Sequence, residues 1–189
     1  QNAGNSFKVA FNGALNLGPD GNYSTLAVNS GNALTFNGLV TGDGTKSARL
    51  IKSLDGSLEL AGVASLNDWT GGLVGAGGTT TVRGATTLTG ATRDTTLNQL
   101  QGGGLGNGAV TLYKGVLDLK YDAGTTTYER VSLGQAAGSV SLIVNGSAQI
   151  NVGTGALNTA TYKLLSFKDL TIGSNYHLNV QAGTGTGYA

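Results

Sequence analysis

The side chains that could do acid-base chemistry or bind a metal ion are few and widely spaced in this chain. Ten carboxylates are spread over 189 residues, with one histidine and no cysteine. A zinc site needs three or four His, Cys or carboxylate ligands, which His and Cys alone cannot supply here. Two carboxylate pairs, Asp118 with Asp122 and Asp68 with Asp94, could serve a glycoside hydrolase or bind Ca²⁺ in a solenoid polysaccharide lyase. Nothing in the sequence focuses these acids on one site, so the lyase is the least favoured alternative.

The single histidine, His177, lies in an alternating segment between Tyr176 and Leu178. Because Leu178 and Val180 are predicted to face a core, His177 is expected to point to solvent. A histidine base normally acts beside a Ser or Cys nucleophile, and no such motif accompanies it. The sequence therefore predicts no catalytic, metal-binding or cofactor-binding residue, no cofactor, and a protein that is not an enzyme.

Exposed aromatic side chains are the remaining candidates for ligand contact. Tyrosine rings stack on sugar rings, and Tyr113, Tyr121 and Tyr128 are the best placed to do so. Single exposed tyrosines are also ordinary in strands. The three tyrosines therefore define an alternative function, an adhesin that binds cell-surface glycans.

A short pattern recurs along the chain, in which two aliphatic residues flank one polar residue. It is clear in Leu58-Glu59-Leu60, Leu117-Asp118-Leu119 and Ile150-Asn151-Val152. Alternation with period two predicts β-strands with one face buried and the other in water. Asp118 is accordingly expected to face water. The one helix candidate is Arg93–Gln101, which could be a short helical turn or a loop.

Asn-Gly and Asp-Gly pairs mark the turns between these strands, because both residues tolerate a positive φ. They fall at Asn12-Gly13, Asp20-Gly21, Asn37-Gly38, Asp55-Gly56, Asn107-Gly108 and Asn145-Gly146. An antiparallel β-sandwich and a parallel β-solenoid would both give this all-β pattern. Thr-rich runs such as residues 79–81 and paired glycines such as Gly77-Gly78 suit short strands that turn sharp corners. The sequence therefore favours a parallel β-solenoid, with the sandwich as the alternative, in a single domain over residues 1–189.

Charge and hydropathy exclude several classes of partner. Charged residues make up 11% of the chain, against about 25% in typical soluble proteins. A net charge of +1 provides no field that would gather nucleic acid or an anionic membrane surface. The small basic group Lys46, Arg49 and Lys52 is predicted to lie on a solvated face. No stretch approaches the roughly 18 apolar residues of a membrane span, so none is predicted.

The remaining composition is typical of an extracellular β-rich scaffold. Glycine accounts for 33 of the 189 residues, more than twice its usual share of about 7%. The chain begins with Gln1 rather than Met, which would fit a mature N-terminus left by signal peptidase. We therefore expect a protein of the cell surface or the extracellular space, exported through a cleaved signal peptide.

Residues 56–119 carry a series of motifs that point to a known family. Trp69-Thr70-Gly71-Gly72 forms an aromatic turn, and residues 105–110 and 115–119 read as closing strands. This segment resembles the autotransporter-associated β-strand repeat, also called the passenger-associated transport repeat. Residues 139–189 are similar to the terminal unit of long secreted proteins that carry these repeats. The resemblance implies a right-handed parallel β-helix on or outside a Gram-negative-type cell, and it implies no activity.

The function expected from these observations is structural. A β-solenoid is open at both ends, and an open end offers unpaired N–H and C=O groups. Phe7, Val9 and Phe11 make the first strand apolar enough to pair with another subunit, and no capping helix is evident at either terminus. Compared with the terminal unit that they resemble, residues 139–189 are expected to lack the last strand. Head-to-tail strand complementation between copies, giving a filament or a surface layer, is therefore the expected assembly.

Overall fold

The computed structural model describes residues 6–19, 21–42, 47–61, 69–84, 93–94, 99–101, 105, 108–121, 128–132, 140–153 and 162–183. These residues form strands and turns, with no helix among them and hence none that could cross a membrane. The strands are β1 (Lys8–Phe11), β2 (Leu15–Asn16), β3 (Tyr23–Ala27), β4 (Ala33–Phe36), β5 (Val40–Thr41), β6 (Arg49–Ser53), β7 (Ser57–Leu60), β8 (Leu73–Gly84), β9 (Arg93–Asp94), β10 (Gln99–Gln101), β11 (Val110–Tyr121), β12 (Tyr128–Ser132), β13 (Leu142–Val144), β14 (Ala148–Gly153), β15 (Tyr162–Ser166), β16 (Leu170–Ile172) and β17 (Leu178–Ala182).

Most strands belong to one 11-stranded parallel sheet that contains two rows. The first row runs β1, β4, β7, the second half of β8, the second half of β11, β14 and β17. The second row runs β3, β6, the first half of β8, the first half of β11, β13 and β16. Parallel neighbours need long connections, and here the chain visits the other row before each return.

The parallel pairing is compatible with the β-solenoid that the sequence favours. The all-β prediction is confirmed, but an antiparallel sandwich does not fit this large parallel sheet. Among the described strands the antiparallel pair is β9 with β10, in a small separate sheet with β12 and β15. That pair also corrects the prediction for Arg93–Gln101, whose two ends are strands, while residues 95–98 lie outside the described residues.

Side chains of the first row alternate as the sequence predicts. One passage of the chain through both rows is called a coil below. One side chain of each first-row strand lies in register with its equivalent in the next coil. These side chains are called the inner row: Val9, Leu34, Leu58, Thr80, Leu117, Ile150 and Val180. Leu58 and Leu117 in the middle of this row are fully buried. Each such burial contributes about 1.5–3 kcal/mol. The stacked aliphatic side chains therefore form the core, and fully buried Trp69 from the aromatic turn joins it.

Glycines at the corners act mainly by allowing close approach. Of the predicted Asn-Gly and Asp-Gly turns, Gly21 has a positive φ, whereas Gly56 and Gly146 do not. A methyl group at Gly146 would collide with the carbonyl oxygen of Tyr113, and one at Gly56 would collide with that of Asn29. These corners are glycine because the neighbouring backbone passes too near for a side chain.

Candidate assembly interface

The first strand lies at one end of the inner row and leaves apolar side chains uncovered. Among the described residues β1 pairs with β4 alone, with Val9 beside Leu34 and Phe11 beside Phe36. The Phe11 and Phe36 rings stack at 5.2 Å with a 13° interplanar angle. Val9 nevertheless remains 48% exposed, and Phe7 and Phe11 are exposed as well. These three residues thus lie on a strand whose outer edge no described strand covers, and their role in subunit contact stays a prediction.

A cavity of about 250 Å³ opens beside this strand. Phe7, Val9, Val28 and Leu34 are among the residues that line it. The backbone N–H of Phe7 donates a 2.9 Å hydrogen bond to Oδ1 of Asn32, which fixes the start of the strand against the next coil. The apolar interior is therefore accessible from this end.

The last strands leave a second apolar end. Val180 of β17 continues the inner row beyond Ile150 and is 61% exposed. Leu170 and Ile172 of β16 continue the second row beyond Leu142 and Val144, and they too are exposed. Since equivalent positions in the middle of the rows are buried, this exposure follows from the lack of a neighbouring coil among the described residues.

The strands at the two ends of the first row run in the same direction. All first-row strands point the same way, so β17 of one copy and β1 of another could pair in parallel and continue the sheet. Pairing would satisfy free N–H and C=O groups on both edges and cover apolar side chains on both. A heterologous contact of this kind repeats without closing unless the rotation brings it into a ring.

The structure describes the side chain of one of the three candidate glycan-contact tyrosines. Tyr113 is 52% exposed at the bend between the two halves of β11, and Tyr121 ends that strand. Tyr128 begins β12, where its backbone is in register with Tyr162. The side chains of Tyr121 and Tyr128 lie outside the described set, so a common glycan site stays a prediction.

The outer face of the first row carries ion pairs, whereas the sequence predicted polar side chains that face water. Asp118 was expected to face water, but it is only 7% exposed. Its Oδ2 accepts from Thr81 Oγ1 at 3.4 Å and lies 3.3 Å from Lys120 Nζ, while its Oδ1 is buried without a partner. Neighbouring side chains on the outer face therefore cover a position that strand alternation alone assigns to solvent.

The carboxylates gather into no recognisable catalytic or metal centre in the part of the chain that is described. No group of three or more His, Cys, Asp or Glu side chains that could hold a metal ion occurs there. Asp122 and Asp68, the suggested partners of the two acid pairs, lie outside the described residues. His177 is exposed, as expected, with Nδ1 3.3 Å from Oγ of Ser147. The lyase alternative stays without support.

Lys52 is the largest departure from the sequence-based reading. It was predicted to lie on a solvated face, but it is fully buried in β6, on the core side of the second row. Arg49 of the same basic group is exposed, with its guanidinium 5.8 Å from the centre of the Tyr23 ring. In the sequence Lys52 lies two positions after Leu50, so strand alternation places both on one face, and this spacing is the signal that could have revealed its burial.

Comparisons of the chain with family models, curated proteins and solved structures find no match. The resemblance to the autotransporter-associated repeat therefore stays a prediction.

Proposed function

We propose that this protein is a non-enzymatic structural protein of the cell surface or extracellular space, built as a right-handed parallel β-solenoid whose copies assemble head to tail. One observation carries the proposal: inner-row residues are buried in the middle of the stack and exposed at both of its ends. Leu117 is fully buried, whereas Val9 and Val180 are 48% and 61% exposed. A second copy is the partner that would cover both ends with one kind of contact.

Two features support the solenoid. The chain alternates between two parallel rows, and β8 and β11 pass from one row to the other through glycine-containing bends at Gly77-Gly78 and Gly115. Parallel crossover connections are right-handed in about 98% of cases, which favours that hand here. Low charge and abundant glycine agree with an extracellular scaffold that depends on stacked strands.

Continuing the established registers gives the proposed junction between copies. Ladder continuity would place Leu178 of one copy beside Phe7 of the next, Val180 beside Val9 and Ala182 beside Phe11. Small Ala182 would face the bulky Phe11 ring. Among the described strands the second row has one member fewer than the first. If β1 of a second copy paired with β17, the second row would lack one strand at the junction. A segment donated across the junction would fill that gap.

The junction can be tested with engineered disulfides, because the chain contains no cysteine. Lys8 and Asn179 are both exposed and would be neighbours across the junction. Adjacent parallel strands lie about 4.8 Å apart, within disulfide reach. The Lys8→Cys/Asn179→Cys double variant should give a ladder of covalent oligomers on mild oxidation, and electron microscopy should show filaments.

The matched control is the Ala10→Cys/Asn179→Cys double variant, in which the Cα separation would be about 8 Å, beyond disulfide reach. It should remain largely monomeric in a non-reducing gel. Equal cross-linking of the two variants, or a wild-type protein that stays monomeric and free of fibres at high concentration, would contradict head-to-tail assembly in this register.

A second function, glycan binding by an adhesin, is favoured by one observation. The Tyr113 side chain is half exposed at a corner, free to stack on a sugar ring. This alternative predicts a saturable glycan ligand whose binding is lost in Tyr113→Ala. A glycan array without hits, together with filaments that form without ligand, would favour the structural role.

A further inference from the structure

Lys52 places an ammonium group among backbone carbonyls inside the stack. Its Nζ donates to the carbonyl oxygens of Ser53 at 3.1 Å, Leu54 at 2.8 Å and Gly77 at 3.1 Å. An ammonium group has three donors and no acceptor, so these three bonds use its full capacity. The Lys52 side chain is fully buried. A buried ammonium group whose three N–H donors all have carbonyl acceptors is fully hydrogen-bonded.

The backbone around Lys52 is shaped to receive it. Leu54 adopts a left-handed φ of 65°, which is uncommon for a non-glycine residue, and its carbonyl oxygen accepts from Nζ of Lys52. Gly75 is in register with Lys52 on the next coil and has no side chain. Gly77 belongs to that next coil as well. The ammonium therefore joins one coil to its neighbour.

The three carbonyl oxygens are the hydrogen-bond acceptors of the Lys52 ammonium group, and the nearby carboxylate of Asp55 favours its charged form. Asp55 at the same corner acts on it electrostatically, but Asp55 is largely exposed and pairs with Lys114 at 3.4 Å. Burial lowers the pKa of Lys52, and the Asp55 charge acts in the opposite direction. The corresponding core-facing positions of neighbouring coils are Leu26, Gly75, Leu112 and Val144. Among these equivalent positions the cation occurs in one coil, so it is a local feature of the corner at residues 53–54 and 77.

We propose that the corner formed by residues 53–54 and 77 is a binding site for a primary ammonium ion, which the chain fills with its own Lys52 side chain to lock one coil onto the next. The three carbonyl oxygens recognise N–H donors and positive charge together. An untethered alkylammonium ion of matching length should therefore occupy the site when the Lys52 side chain is removed.

The test is chemical rescue of Lys52→Ala, which removes three methylenes and the amine. Propylammonium chloride should raise its melting temperature in a saturable way and restore most of the loss. If the variant does not fold alone, refolding in propylammonium should recover the native circular dichroism spectrum. Failure to rescue the variant in either form would overturn the proposal.

Controls separate ammonium recognition from general effects of the salt or of the cavity. Leu50→Ala removes a fully buried side chain from the same strand and side, with no carbonyl cluster, so propylammonium should not rescue it. Tetramethylammonium, which has no N–H donor, and KCl should not rescue Lys52→Ala; equal rescue by either would overturn the proposal. Lys52→Met fills the space without donors and should melt below the wild type, so a Met variant of equal stability would also contradict the site.

Discussion

A charge at Val180 should abolish assembly while leaving the monomer folded. Val180 and Val9 are 61% and 48% exposed in the single chain. Full burial of a valine contributes about 1.5–3 kcal/mol, so covering the exposed parts of both side chains at the junction would contribute about 2–3 kcal/mol. Val180→Asp removes the Val180 share and forces an unpaired carboxylate against the Val9 side chain, which costs several kcal/mol more.

That loss should raise the critical concentration for assembly by about a hundredfold or more, since each 1.4 kcal/mol corresponds to about tenfold. Light scattering and sedimentation velocity over a concentration series measure it directly. The monomer should lose only about 1 kcal/mol, equivalent to roughly 2–4 °C in melting temperature, because Val180 is already mostly exposed there.

Two matched variants make the result interpretable. Asn179→Asp adds the same charge to the neighbouring exposed position and should assemble nearly as well as the wild type. Leu117→Asp adds it to the buried middle of the same inner row. It should unfold the protein, because total stability is only about 5–15 kcal/mol. The reasoning is refuted if Val180→Asp assembles at the wild-type concentration, or if its melting temperature falls as far as that of Leu117→Asp.

Three further expectations concern individual residues. Asp118→Ser should lower the free energy of unfolding by about 1–2 kcal/mol in chemical denaturation, since it removes the acceptor of an ion pair. Asp118→Asn keeps an acceptor oxygen and should stay within about 1 kcal/mol of the wild type; equal losses would show that the charge itself matters. Gly146→Ala should cost more than 2 kcal/mol, or roughly 5 °C of melting temperature, because the methyl group meets backbone. Gly13→Ala should be nearly neutral, since its Cβ would meet open space at a φ that is not positive, and a similar loss at both sites would contradict the close-approach argument. Because burial lowers the pKa of Lys52 from 10.5, the unfolded chain holds this proton more tightly than the folded chain just below that pH. The free energy of unfolding should therefore rise with pH in that range, and the rise should be absent in Lys52→Met.

The sequence by itself determined that the chain is built of β-strands whose aliphatic side chains share one face. Period-two alternation in segments such as Leu58-Glu59-Leu60 correctly identified the inner row, because a strand must turn successive side chains to opposite faces. Glycine also marked the corners correctly. At Gly146, however, the reason is a carbonyl contributed by Tyr113, which is distant in sequence, and a local reading of turn types cannot detect it.

Only the tertiary structure decided which strands pair and what covers each face. Parallel and antiparallel neighbours give the same local alternation, so the pairing of Leu58 with Thr80 and of Leu117 with Ile150 could not be read from either strand alone. Asp118 is buried because Thr81 and Lys120 lie against it. Lys52 occupies a core position because three carbonyls, one of them from the next coil, satisfy its ammonium group. A side chain's polarity predicts exposure only when no partner is within reach, and the fold alone brings such partners together.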